Sequence, residues 1–134
     1  MALTDLQREI CRLLAAHRIA HGEAYLAGGA TLNEILGAAR LSRDIDVFHD
    51  TAAALEASWS GDRDLLLADG FDVVVVRERS SFVEAEVGRG GERVLMQWAR
   101  DSAFRFFPLL SDPDLGLVLH PVDLATNKVL ALVG

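Results

Sequence analysis

The chain has 134 residues, 51% of them hydrophobic, and its 13 basic and 20 acidic residues give a formal net charge of −7. This length suits one domain, and the apolar fraction is enough to bury a core, which argues against an intrinsically disordered chain. The acidic balance argues against bulk binding of nucleic acid, because phosphate contacts need Lys and Arg. It suits an enzyme that collects divalent cations, although most acidic proteins are simply well hydrated.

The N-terminal residues MALTDLQREI carry charges where a signal peptide needs an apolar stretch. No apolar run is long enough to span a bilayer. Cys11 is the single cysteine, so there is no disulfide framework, and we expect it to act as a small buried hydrophobe. Together these features predict a cytoplasmic protein that makes no contact with membranes.

Helices and strands alternate in the first half of the chain. An apolar stripe predicts a helix over residues 3–20, and Thr4 or Asp5 can cap its N-terminus. Alternation of apolar and polar residues predicts a strand over 44–49. The other predicted elements are a buried strand at 24–27, a helix at 31–38, and a helix at 51–69 that breaks near Ser60 and Gly61.

The pattern changes after Gly70. Three strand-like runs at 71–77, 82–88 and 93–99 are separated by turn residues at 78–81 and 89–91, which predicts an antiparallel meander. A loop containing Pro108, Asp112 and Pro113 follows, and Pro121 suits the first turn of a last helix over 122–133. The whole chain, 1–134, is therefore predicted to be one α/β (α+β) domain, with a mixed sheet flanked by helices.

Two glycines lie between the first predicted strand and the helix that follows it. Gly28 and Gly29 would let backbone N–H groups approach a phosphate, and the helix dipole beginning near Thr31 would favour the negative charge. An isolated Gly-Gly pair is more often an ordinary tight turn, so this signal needs support from elsewhere in the sequence.

That support comes from Asp44 and Asp46 in the next strand. Residues two apart in a strand point to the same side, so the two carboxylates converge on one spot. Ile45, Val47 and Phe48 indicate that the strand is buried, and acids on a buried strand need a partner. Carboxylate oxygens alone suit Mg²⁺ or Mn²⁺ better than zinc. The alternative is a solvated strand face.

Taken together, these motifs resemble the signature of nucleotidyltransferases of the DNA polymerase beta-like superfamily, in the AbiEii/AbiGii (MenT-like) toxin branch. The pattern G-G-x-x-L…R-x-S-x-D-I-D-h is matched by Gly28, Gly29, Leu32, Arg40, Ser42, Asp44, Ile45 and Asp46. Residues 20–50 carry the resemblance, and the remainder of the chain follows it in the order of its elements.

The resemblance implies a nucleotidyltransferase-like sheet and a reaction that moves a nucleotidyl group from a nucleoside triphosphate to an acceptor. Asp44 and Asp46 would bind Mg²⁺ or Mn²⁺, and Gly28, Gly29, Thr31 and Ser42 would contact the nucleotide. The segment at 123–132 resembles D-L-A-x-x-K-x-x-A-L, which gives Lys128 a role at the phosphates. RNA or tRNA is the implied acceptor, and an antitoxin protein is an implied partner.

Two departures from the family pattern bear on activity. Gln97 stands where the family places a third carboxylate, and Asp101, Glu84 or Glu86 are the acids that could replace it. A second interpretation follows, in which the chain is a catalytically silent module that binds a nucleotide or a partner protein. The acidic segment that follows the lysine helix in the family is missing, which predicts a chain truncated at its C-terminus that self-associates through the exposed helix around 130–133.

Overall fold

The computed structural model describes residues 4–21, 24–27, 44–100 and 107–126. Its helices are α1 (Asp5–His21) and α2 (Ala52–Ala68), and residues 121–126 are also helical. Its strands are β1 (Ala24–Ala27), β2 (Asp44–His49), β3 (Asp72–Arg79), β4 (Phe82–Arg89), β5 (Glu92–Arg100), β6 (Leu110–Asp112) and β7 (Gly116–Val118). The predicted helix at 31–38 lies outside these residues. None of the described helices has the length and hydropathy needed to cross a membrane.

The seven strands form one mixed sheet in the order β3-β4-β5-β2-β1-β7-β6. Strands β3, β4 and β5 are an antiparallel meander, and β5 then runs parallel to β2. On the other side of β2, β1 is antiparallel to it and parallel to β7. The predicted mixed sheet with an antiparallel meander is confirmed, and β2 lies at its centre.

Both helices cover one face of this sheet. Side chains that alternate along β2, β4 and β5 point into the helices and are buried, as in the series Val47, Trp98 and Val83 across the three strands. Trp98 is fully buried and meets Trp59 of α2 edge-on, with ring centroids 4.7 Å apart. Cys11 is buried in the same core, as expected. The opposite face of the central strands is left free of these helices.

The N-terminus of α1 has a reciprocal cap. The Thr4 hydroxyl accepts a hydrogen bond from the Gln7 backbone N–H at 3.1 Å, and Gln7 Oε1 accepts one from the Thr4 N–H at 2.8 Å. Two backbone donors that the helix cannot satisfy are paired in this way. Of the two capping residues that the sequence allowed, the structure uses Thr4.

Helix α2 runs unbroken from Ala52 to Ala68, so the predicted break near Ser60 and Gly61 is wrong. The reason is tertiary packing against α1. A Cβ atom at Gly61 would lie 2.4 Å from Cε1 of His17, so the glycine leaves room for the imidazole. That imidazole forms a hydrogen bond from Nδ1 to Oδ1 of the buried Asp62 at 2.9 Å. Gly61 therefore allows close contact between α1 and α2 and does not end the helix.

We expect Gly61→Ala to destabilise the protein by about 1–2 kcal/mol, because the new methyl group displaces His17 from Asp62. In a His17→Ala background the same change should instead stabilise α2, by up to about 1 kcal/mol, because alanine is the better helix former. Urea unfolding of the four proteins measures both effects. A destabilisation of equal size in the two backgrounds would contradict this account of Gly61.

The strands of the meander extend further than the sequence predicted. Glu78 and Arg79 belong to β3 and not to a turn, because the Glu78 carboxylate accepts a hydrogen bond from Trp59 Nε1 at 3.2 Å and anchors the strand end to α2. At the next turn only Gly90 and Gly91 lie between the strands, with φ of 63° and 87°. Both angles lie in the left-handed region that a two-residue hairpin turn needs and that glycine adopts without strain.

Arg89 at the end of β4 joins the two helices to the sheet. Its guanidinium donates to the Glu9 carboxylate of α1 and to the Asp69 carboxylate at the end of α2, the latter at 2.8 Å. It also lies 3.7 Å above the ring of Phe71. The hydrogen bond to Asp69, with the charge of Glu9 nearby, raises the pKa of Arg89 above its ordinary value.

The segment predicted as a loop after the meander contains a hairpin, which corrects the sequence interpretation. β6 and β7 pair antiparallel, and Val118 of β7 lies beside Leu26 of β1. Asp112 holds the turn by accepting hydrogen bonds from the N–H groups of Asp114 and Leu115. The strands have three residues each, and the pairing of β7 with β1 makes the hairpin part of the sheet.

A second, smaller apolar cluster lies on the sheet face opposite α1 and α2. It contains Tyr25, Leu119 and Leu124, with Phe48 packed against them. The helical residues 121–126 reach this cluster through Leu124, and Pro121 opens them as predicted. Asp123 is fully buried there and accepts a hydrogen bond from the Phe107 N–H at 3.0 Å. This cluster borders one side of the candidate site.

Candidate active site on the open face of the sheet

Strand β2 forms as predicted, and its side chains divide between two faces. Ile45 and Val47 are buried on the helical face, and Asp46 is half-buried on the other. The side chain of Asp44 lies outside the described residues, although its backbone belongs to the strand, so its position on the face of Asp46 stays a prediction from the sequence. The central strand thus contributes Asp46 to the sheet face that α1 and α2 do not cover.

Three polar side chains form a row across the sheet at Asp46. In the register of the parallel pair, Asp46 lies opposite Gln97 of β5, and Gln97 in turn lies opposite Glu84 of β4. Gln97 Nε2 donates a hydrogen bond to Glu84 Oε2 at 2.8 Å. All three side chains are half-buried. A carboxylate, an amide and a second carboxylate therefore lie on neighbouring strands of one face.

The structure separates the three acids that could stand in for a carboxylate at Gln97. Glu84 is hydrogen-bonded to Gln97. Glu86 lies two residues further along β4, opposite Leu95, and is exposed. Asp101 lies outside the described residues. Glu84 is therefore the described acid in direct contact with the residue beside Asp46.

The donors on this face match a magnesium ion in kind. Asp46 and Glu84 supply carboxylate oxygens and Gln97 an amide oxygen, which are hard ligands of the type that Mg²⁺ and Mn²⁺ prefer. Within the described side chains no group of three His, Cys, Asp or Glu is close enough to bind a metal, and Asp44 is not among those side chains. A metal site here would thus depend on Asp44 together with Asp46.

The remaining predicted site residues cannot be placed. Gly28, Gly29, Thr31, Ser42 and Lys128 all lie outside the described residues. Gly28 follows directly on β1, which pairs with β2, and Lys128 follows the helical residues 121–126. Their assignment to nucleotide binding therefore stays a prediction.

A cleft of about 550 Å³ lies away from this face, between α2 and the hairpin of β3 and β4. Trp59 and Val83, which belong to the helical side of the sheet, form its floor, and Arg79 and Ser80 are at its rim. Since Asp46 points to the opposite face, this cleft is separate from the candidate site.

Comparison with known proteins gave matches among solved structures only. No family profile matches the sequence, and no curated protein matches it either. A candidate nucleotidyltransferase from H. pylori superimposes with a TM-score of 0.60 at 16% identity, covering 92% of this chain and 55% of that one. MenT4, a nucleotidyltransferase toxin from Mycobacterium tuberculosis H37Rv, superimposes with a TM-score of 0.51 at 15% identity. That match covers 87% of this chain and 42% of the MenT4 chain.

These matches confirm the predicted nucleotidyltransferase-like fold. At such low identity they speak for the fold alone, because one fold can carry many functions. The chain spans about half the length of the two structures it matches.

Proposed function

We propose that this chain is a metal-dependent nucleotidyltransferase that moves a nucleotidyl group from a nucleoside triphosphate to an acceptor. The observation that carries the proposal is the position of Asp46, half-buried at the centre of a nucleotidyltransferase-like sheet and in register with Gln97 and Glu84. The alternation in the sequence of β2, which predicts that Asp44 shares this face, supports it further.

In this proposal each group has a defined task. Asp44 and Asp46 hold Mg²⁺ or Mn²⁺, which when bound neutralises phosphate charge and lowers the pKa of an attacking hydroxyl. Gly28, Gly29, Thr31 and Ser42 bind the nucleotide, with backbone N–H groups directed at its phosphates. Lys128 stabilises charge on the leaving pyrophosphate.

We favour an RNA or tRNA acceptor and an antitoxin protein as partner, on the resemblance to the toxin branch. The match to MenT4, a nucleotidyltransferase toxin, supports only the fold that this choice presupposes. The formal net charge of −7 implies that any RNA contact is local, because the chain as a whole repels a polyanion.

One observation favours a second function, a catalytically silent module that binds a nucleotide. The residue beside Asp46 is Gln97, which carries an amide and not a carboxylate. The amide N–H of Gln97 donates a hydrogen bond to Glu84. Glutamine can orient a water or hydroxyl but is a poor general base. A chain with this residue could keep the nucleotide site and lose the transfer step.

Thermal unfolding with each ribonucleoside triphosphate and Mg²⁺ tests nucleotide binding. A ligand at a hundred times its dissociation constant adds about 2.7 kcal/mol, which raises Tm by several degrees for a domain of this size. No shift with any of the four nucleotides at millimolar concentration would refute both proposed functions. A shift combined with transfer to RNA supports the transferase, and a shift without transfer to any acceptor supports the silent module.

We expect Gln97→Glu to raise the affinity for Mn²⁺ about tenfold, because it adds a carboxylate beside Asp46. Without metal the new charge faces Glu84 at hydrogen-bond distance, so Tm of the metal-free variant should fall. Calorimetric titration and thermal unfolding measure the two effects. Ser80→Glu, which adds the same charge at an exposed turn, is the matched control. Equal Mn²⁺ affinity in Gln97→Glu and Ser80→Glu would show that the metal site is not next to Gln97.

A further inference from the structure

Strand β3 is an edge of the sheet with an unusual surface. In the described sheet it is the outermost strand on its side and pairs only with β4. Its centre is a run of four valines, and Val74, Val75 and Val76 have exposed fractions of 49%, 43% and 49%. β-Branched residues favour extended pairing, and a bare edge offers unpaired N–H and C=O groups to another strand.

Two residue types that usually protect such an edge are absent from its central part. Natural edge strands often carry a lysine or a proline in the middle, and the run from Val73 to Val76 contains neither. The charged residues of β3 are confined to its two ends, Asp72 before the valines and Arg77, Glu78 and Arg79 after them. The apolar centre with charged ends therefore resembles a strand built to pair.

These end charges complement the same strand running in the opposite direction. In an antiparallel pair of two β3 strands, Asp72 of each copy comes to the end that carries Arg77 in the other. Within the described part of one chain, neither Asp72 nor Arg77 is in a salt bridge. A parallel arrangement would place like charges together, which is unfavourable.

A bulge in β3 brings these charges to one face. Residues five apart in a regular strand point to opposite faces, but the register shifts between Val75 and Arg77. As a result Asp72 lies opposite Gly88 and Arg77 opposite Glu84, and these two β4 positions share a face. A two-fold axis perpendicular to a sheet relates each face of one copy to the same face of the other copy. Asp72 can therefore meet Arg77 of a second copy only if both residues lie on the same face of β3.

We propose that β3 is the interface of a homodimer in which two copies pair antiparallel through their valines, forming one continuous sheet across both. The second copy is the partner that this strand fits, since the strand complements itself in both apolar content and charge. The contact lies at the edge of the meander that is farthest from β1. Its formation needs no nucleotide or metal.

Sedimentation velocity of the purified chain over a range of concentrations tests the interface. We expect a dimer for the wild type, a monomer for Val74→Lys, and a dimer for Leu67→Lys, which alters an equally exposed residue of α2. A wild type that stays monomeric at all concentrations overturns the proposal. A dimer that Val74→Lys leaves intact also overturns it, because association would then use another surface.

Charge exchange tests the antiparallel pairing itself and does not depend on the stability of Val74→Lys. Asp72→Arg or Arg77→Asp alone should weaken the dimer about tenfold or more, since two-fold symmetry applies each change twice. The double variant Asp72→Arg/Arg77→Asp should recover the wild-type dissociation constant. The arrangement would be refuted if the single variants dimerised as tightly as the wild type. It would also be refuted if the double variant dimerised as weakly as the single variants. Circular dichroism confirms that each variant is folded.

Discussion

Asp46→Asn is expected to lower nucleotidyl transfer by a hundredfold or more. The variant keeps the shape of the side chain but removes the charge that would hold a divalent cation against the triphosphate. The metal-free Tm of the variant shows whether any loss of transfer comes instead from a loss of folding. Transfer rates and metal-free Tm measured on the same preparations separate the two effects.

Titration with Mn²⁺ gives a second readout for Asp46. Wild type should bind the ion measurably more tightly than Asp46→Asn, and Glu92→Gln, which removes an exposed charge at the far end of β5, should bind like the wild type. If wild type and Asp46→Asn bind Mn²⁺ equally, the site is elsewhere. If they differ in binding but neither transfers a nucleotide to any acceptor, the silent-module function is supported.

Asp62→Ala is expected to destabilise the fold by about 3–5 kcal/mol. Asp62 is fully buried on α2, and its two carboxylate oxygens accept hydrogen bonds from His17 Nδ1 of α1 and from Trp98 Nε1 of β5, both at 2.9 Å. Its removal leaves a buried indole N–H without that acceptor and takes the anion away from the imidazole. One side chain thus links both helices to the centre of the sheet.

Urea unfolding measures this loss, with Asp64→Ala as the matched control on the same helix. The side chain of Asp64 is 73% exposed, and its nearest ion-pair contact, to Arg63, is 3.9 Å, so its removal should change stability by less than about 0.5 kcal/mol. The loss of stability in Asp62→Asn should lie between those of Asp62→Ala and Asp64→Ala, because the amide oxygen can still accept a hydrogen bond from Trp98. Equal effects of Asp62→Ala and Asp64→Ala would rule out a structural role for the buried network.

Local patterns predicted the elements that carry their own signal. The alternation in β2 and the glycines at 90–91 are sufficient to predict a strand and a hairpin without knowledge of the rest of the fold. The break near Gly61 was wrong because the reason for that glycine is His17, which is distant in sequence and close in space. β6 and β7 were missed because strands of three residues beside prolines have no periodicity to detect, and the place of β7 in the sheet depends on β1, which is distant in sequence.

The candidate site was predictable in part. The contact between Glu84 and Gln97 could have been derived from the sequence, because a two-residue turn at Gly90 and Gly91 fixes every pair back along the hairpin. The neighbourhood of Asp46 and Gln97 could not be derived locally, since it depends on a parallel pairing between strands separated by α2 and most of the meander. Which residues contact the nucleotide stays a prediction, because Gly28, Gly29, Thr31, Ser42 and Lys128 are not described.

The parallel pairing of β2 with β5 also has a kinetic consequence. The meander can form from local hairpins, but β2 reaches its place only when a long loop closes and β5 offers its free edge. We therefore expect Asp46 to gain Gln97 as its neighbour late in folding, in the slow step set by long-range contacts. During refolding, an Mn²⁺-dependent signal from this face should appear after the far-ultraviolet signal of the hairpins, and the ion would report a completed sheet.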